Sequence, residues 1–143
     1  MVRLTIFLAA FFGAVGVALG AYRAHGLKTT LLALELPSGE IATRLDNLGI
    51  AVQYDLIHAV AMLAIALAQI QACSKYLSLA AGLFGLGTVL FCGTLAIQAI
   101  TGQRLYWLLP PSGGVLLIAG WIAIAAYGIS RRQVQESYIP ASL

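Results

Sequence analysis

Charge is what this sequence has least of. Only 9% of its 143 residues are Asp, Glu, Lys or Arg, against 61% hydrophobic, where a water-soluble domain carries roughly 25% charged residues. So few ionised side chains cannot cover a surface this small for water, which excludes a soluble globular fold and implies a bilayer. The net charge of +3 comes from Lys and Arg scattered between apolar runs. No basic block could neutralise a row of phosphates, so nucleic acid is excluded as a partner. Cysteine is scarce too: Cys73 and Cys92 fall at the end of one apolar run and inside the next, at different bilayer depths and outside any CxxC pair. Neither a disulfide nor a metal centre is read from them. No Gly-rich phosphate loop follows a strand, and no Ser or Cys is placed to meet a histidine. No catalytic residue is assigned, and the chain is not read as an enzyme.

What is present is apolar and long. Residues 4–22, 48–72, 77–100 and 113–129 each approach the ~20 residues needed to cross ~30 Å of hydrocarbon. The fold class expected is therefore an all-α membrane protein, a four-transmembrane-helix bundle in one integral domain over residues 1–143. The first run also fits a secretory signal, with Arg3 ahead of an apolar core and Ala18, Leu19 and Gly20 as a small-residue cleavage pattern. Its length and its helix-packing glycines favour a retained span.

The one long connection, residues 23–47, is patterned rather than random. Leu27, Leu31 and Leu34 form a short stripe, Pro37 breaks the chain, and Ser38 can cap a helix in which Ile41, Leu45, Leu48 and Val52 follow at steps of three and four. An amphipathic interfacial segment is expected between helices one and two. The same face continues to Asp55 and His58, which therefore point into the bundle, where an ionisable group costs less than it would against lipid.

In a four-span chain the end of helix one, the start of two, the end of three and the start of four share a membrane face. Tyr22, Arg23, His25, Gln53, Tyr54, Asp55, His58, Thr101, Gln103, Arg104 and Ser112 all fall there. The opposite face holds Arg3, Gln69, Gln71, Lys75, Arg131 and Arg132, which read as interfacial anchors. Lys and Arg balance between the two faces, so the positive-inside rule ties; the Arg131, Arg132 pair abutting a span places both termini in the cytoplasm. Glycines mark expected packing seams: Gly13, Gly16 and Gly20 in helix one, Ser78, Gly82 and Gly85 in three, Gly113, Gly120 and Gly128 in four.

The stretches AYRAHGLK, AVQYDLIHA, LFCGTL and PPSGG followed by GW resemble the YgdD-like family of small bacterial membrane proteins, also called domain of unknown function 423, related to eukaryotic transmembrane protein 256. The match runs over almost the whole chain. Gly20, Ala21, Ala24, His25, Gly26, Leu27 and Lys28 fit the first motif, and Ala51, Val52, Gln53, Tyr54, His58 and Ala59 the second. Gly93 and Leu95 fit the third, and Gly113, Gly114, Gly120 and Trp121 the fourth. Arg23, Asp55 and Cys92 depart from the residues usual there, which argues against a fixed metal or haem role at position 55. The resemblance implies a four-helix protein of the bacterial inner membrane and no established activity.

Three functional readings stay open. In the first, Arg23 and Asp55 form an ion pair, with His25, Gln53, Tyr54 and His58 completing one polar network. The protein is then a scaffold, an accessory subunit of a larger assembly or a homo-oligomer, or a lipid-contacting bundle. Removing the Asp55 carboxylate would, on this reading, leave a buried cation unpaired at a cost of roughly 3–5 kcal/mol. In the second, Asp55 and His58 serve a small transporter or proton relay. In the third, a haem sits between His25 and His58, or Asp55 and His58 at i, i+3 form one carboxylate-x-x-His arm of a metal site whose second arm and further carboxylates the sequence lacks. No cofactor is assigned; the partners expected are membrane lipids and other membrane subunits.

Overall fold

The computed structural model describes residues 2–72 and 74–136, with side chains of the last helix described as far as Arg131. Cys73 and the side chain of Arg132 lie outside the described residues. Among the described residues four helices are long and apolar enough to cross a membrane: α1 (Val2–Ala33), α2 (Ser38–Gln71), α3 (Lys75–Thr101) and α4 (Leu109–Glu136). The chain is an all-α membrane protein. Two of the helices carry a single π-helical turn, Arg23–Leu27 in α1 and Val89–Gly93 in α3.

Helix ends follow local chemistry. α1 stops where Glu35 enters the left-handed region at φ 53°, its N–H donating to the Leu32 carbonyl. Pro37, rather than Ser38, occupies the cap of α2: its carbonyl accepts the N–H groups of Glu40 and Ile41 at 2.9 and 3.1 Å. Ser74 caps α3 by accepting from the Tyr76 N–H, and Gly102, at φ 74°, closes it by donating to the Gln98 carbonyl. α4 begins at Leu109 because Pro110 and Pro111 fall in its first turn, where backbone N–H groups have no helical partner to lose.

The connection between the first two spans is helical on both sides of a break at Pro37. Both arms are continuations of the spans themselves. α2 has 34 residues, roughly 50 Å at 1.5 Å per residue, well beyond the ~30 Å of hydrocarbon, so α1 and α2 extend out of it as a paired hairpin. Leu27, Leu31, Ile41 and Leu48 are buried in its seam, whereas Leu34, expected in the stripe, is 59% exposed.

The helices pack antiparallel in a constant register. Along α1 and α2, Thr5 meets Gln69, Gly13 faces Ala59, Gly16 faces Asp55, Gly20 faces Val52 and Arg23 reaches Leu45. Between α3 and α4, Phe84 faces Gly120, Gly87 faces Leu117 and Phe91 faces Gly113. Between α2 and α3, Gln69 meets Ser78, His58 meets Phe84 and Tyr54 meets Phe91. Gly82 and Gly128 are corrections to the expected seams: a side chain at either would enter open space, since both lie on outward faces. Gly87 was not expected and packs directly on α4.

Candidate functional site

Apolar burial divides into two clusters. One, from Ala9, Phe12, Ala59, Met62, Ile65, Leu77, Ala80, Ala81, Phe84, Leu117 and Ala123, fills the half nearer the chain termini. The other, from Leu27, Leu31, Ile41, Leu48, Ala51, Cys92, Ala96 and Ala99, fills the Pro37 half. Between them lies a polar layer. Ala51, Asp55, His58 and Met62 are all buried and follow one another at steps of four, three and four, which is one helix face. Phe84, Thr88 and Cys92 do the same on α3. The pairs His58–Phe84 and Tyr54–Phe91 bracket Asp55 and Thr88 and so place them at one level. Asp55 is 3% exposed and Thr88 1%. Among the described residues neither Asp55 Oδ2 nor Thr88 Oγ1 has a hydrogen-bond partner.

His58, a turn away, is fully engaged. Its Nδ1 lies 2.7 Å from the Tyr54 carbonyl, which can only accept, and its Nε2 lies 3.3 Å from the Trp121 indole N–H, which can only donate. Only the neutral Nδ1–H tautomer satisfies both. Aromatic rings surround it: Phe84 at 5.0 Å edge-on, Trp121 and Tyr54 at 6.1 Å, with Phe84 and Trp121 5.2 Å from each other. His58 thus ties α2 to α4 through the ring of α3. Trp121→Phe keeps an aromatic ring but deletes the donor, and should cost about 1 kcal/mol. In nitrogen NMR the wild-type His58 should show a single Nδ1–H tautomer that the variant keeps, with the Nε2 resonance shifted by loss of the indole donor; an Nε2–H tautomer in the wild type would refute the assignment.

The expected single network separates into parts. Arg23 does not pair with Asp55: its Nε–H donates to the Leu45 carbonyl at 2.9 Å. Arg44 pairs with Glu40, Arg104 lines a cleft at the Pro37 end, and among the described residues no basic group bonds the Asp55 carboxylate. His25, Gln53 and Tyr54 are exposed. His25 and His58 do not share a network, because α1 runs on past Tyr22. In the α1–α2 register His25 lies level with Asn47, eleven residues or roughly 16 Å along the axis from His58. That spacing also removes the geometry for a haem between them, and both His58 ring nitrogens are already bonded. Among the described residues no three His, Cys, Asp or Glu side chains converge.

A second polar layer sits towards the termini. Gln69, expected as an interfacial anchor, is buried at 6% exposure. Its Oε1 accepts from the Thr5 hydroxyl at 3.1 Å and its Nε2 donates to Ser78 at 3.4 Å, joining α1, α2 and α3. Sequence reasoning missed Thr5, Thr88 and the Trp121–His58 bond. The signals were an indole N–H and a β-branched hydroxyl inside otherwise apolar runs, both of which need partners when buried.

Residues 19–114, from the middle of α1 through the first turns of α4, match the family described as "Protein of unknown function (DUF423)". The chain belongs to this family. The UPF0382 inner membrane protein YgdD of Escherichia coli strain K12 is 35% identical over 136 residues, 94% of this chain and 97% of that protein. A UPF0382 membrane protein of Haemophilus influenzae is 33% identical, covering 85% of this chain and 89% of its own. The UPF0382 membrane protein SSP2132 of Staphylococcus saprophyticus is also 33% identical, with 85% and 93% covered. No solved structure matches. These DUF423 relatives are membrane proteins, one named for the inner membrane, and none carries an activity in its name. With four apolar helices, the chain is a multi-pass membrane protein of the same kind. The matched stretch contains the whole Asp55 layer apart from Trp121.

Proposed function

We propose that this protein is a non-enzymatic scaffold or accessory bundle of the bacterial inner membrane, working with lipids and with other membrane subunits or further copies of itself. The observation that carries this is the sealing of the Asp55 layer on both sides. Leu27, Leu31, Leu48 and Ala51 close it towards Pro37, and Met62, Ala66, Leu77 and Ala80 towards the termini, all 2% exposed or less. A proton or ion path needs successive polar groups, and these side chains interrupt the spacing between the Asp55 layer and the next buried polar layer at Gln69. The two polar layers instead define which helices meet and at what register, a use for which buried polar groups are suited.

Asp55 Oδ2, without a hydrogen-bond partner among the described residues, favours one second reading, a proton path completed by further copies of this chain or by water. Proteoliposomes carrying a pH gradient and an entrapped pH dye separate the two. Wild type and Asp55→Asn should both hold the gradient as well as protein-free vesicles do. A leak present in the wild type and lost in Asp55→Asn would replace the scaffold reading with the second one.

A further inference from the structure

At the Pro37 end a cleft of about 390 Å³ opens between the first turns of α2 and the end of α3, walled by Glu40, Thr43, Arg44, Asn47, Gln98 and Arg104. Arg44 is held in place. Its Nε–H and Nη2–H both donate to Glu40 Oε1, at 3.0 and 2.5 Å, and its guanidinium packs on Gly102 in the space a side chain there would need. Nη1 is left without a partner among the described residues, and so is the whole of Arg104. The Thr43 hydroxyl is spent on the Gly39 carbonyl. Among the described residues, the donors of the lining side chains left without a partner are therefore Arg44 Nη1, the Arg104 guanidinium and the Asn47 and Gln98 amides. Two arginines against one glutamate leave one net positive charge. The α2 N-terminus and the α3 C-terminus meet here, so their dipoles oppose one another and the arginines decide the sign.

The segment after Arg104 gives the depth. Tyr106 and Trp107 are 66% and 73% exposed, in the position of amphipathic rings that settle at the headgroup level of a bilayer. A fixed guanidinium, a second free one beside it, two amide donors and a location among headgroups suit a phosphate ester, which accepts bidentate hydrogen bonds from arginine. We propose that this cleft binds the phosphate of a phospholipid headgroup, with preference for a glycerophospholipid of net negative charge. The site is independent of whether the Asp55 layer conducts.

Native mass spectrometry of the full-length protein, released from detergent with phosphatidylglycerol or phosphatidylcholine added, tests this. The wild type should retain phosphatidylglycerol in preference to phosphatidylcholine. Arg104→Gln, which breaks no hydrogen bond or ion pair among the described residues, should weaken that retention about tenfold, the size of one charge-assisted hydrogen bond. Arg44→Gln should do the same. Arg3→Gln, an equal charge change at the other end, should leave it intact. Equal retention by wild type and Arg104→Gln would overturn the site, as would the same loss in Arg3→Gln. Inorganic phosphate at millimolar concentration should fail to displace the lipid; displacement would reassign the cleft to a soluble phosphate and overturn the lipid as ligand.

Discussion

Asp55→Asn should raise the unfolding midpoint of the detergent-solubilised protein. The opposite sign follows from an Arg23–Asp55 ion pair, since removing one partner of a buried pair strands the other. No cation is stranded here. Arg23 Nε–H donates to the Leu45 carbonyl, and among the described residues the buried Asp55 Oδ2 has nothing to accept from. Such a group pays its desolvation without return, so replacing the carboxyl by an amide of the same shape relieves part of that cost, about 1–3 kcal/mol. Thr88→Val should act in the same direction by a smaller amount, because its hydroxyl is equally without a partner. Thermal unfolding of wild type and both variants in one detergent gives the answer. A midpoint lowered in Asp55→Asn would mean that the carboxylate has a bonding partner in the membrane, and the account of the layer would be wrong.

Gly113→Ala should be the most damaging of the conservative substitutions. A Cβ at Gly113 would fall 2.5 Å from the Phe91 backbone nitrogen and 2.9 Å from its Cα, within the π-helical turn of α3. Backbone cannot swing aside as a side-chain tip can, so α3 and α4 must separate along a seam where Gly87 and Gly120 also hold them close. Overpacking typically costs 1–3 kcal/mol, and with backbone as the obstacle the loss should be about 3 kcal/mol. Gly82→Ala is the matched control. It adds the same methyl group into open space and should gain roughly 0.5–1 kcal/mol from helix propensity alone. Similar losses for the two alanines would show that the tight approach of α4 to the π-helical turn is not what holds this pair together.

Hydropathy and helical period are properties of neighbouring residues along the chain, and what depends on them was legible in the sequence. Four long helices, the break at Pro37, and the inward direction of Leu27, Leu31, Ile41, Leu48, Asp55 and His58 all follow from steps of three and four. The ending of α1 was not legible. Nothing local stops it at Tyr22, and a π-helical turn at Arg23–Leu27 carries it on to Ala33, which moves His25 away from His58. Nor could the sequence assign partners. Arg23 reaches Leu45 rather than Asp55, Gln69 turns inward to Thr5 and Ser78, Trp121 donates to His58, and Arg44 and Arg104 line one cleft. These pairs join residues as many as 64 positions apart. They depend on the register at which two helices meet, and that register is set by close packing at Gly16, Gly87, Gly113 and Gly120, where a side chain or backbone of the next helix fills the space a Cβ would need. A helix face can be computed from its own residues, but the atom opposite it belongs to another part of the chain and is chosen only when all four helices pack.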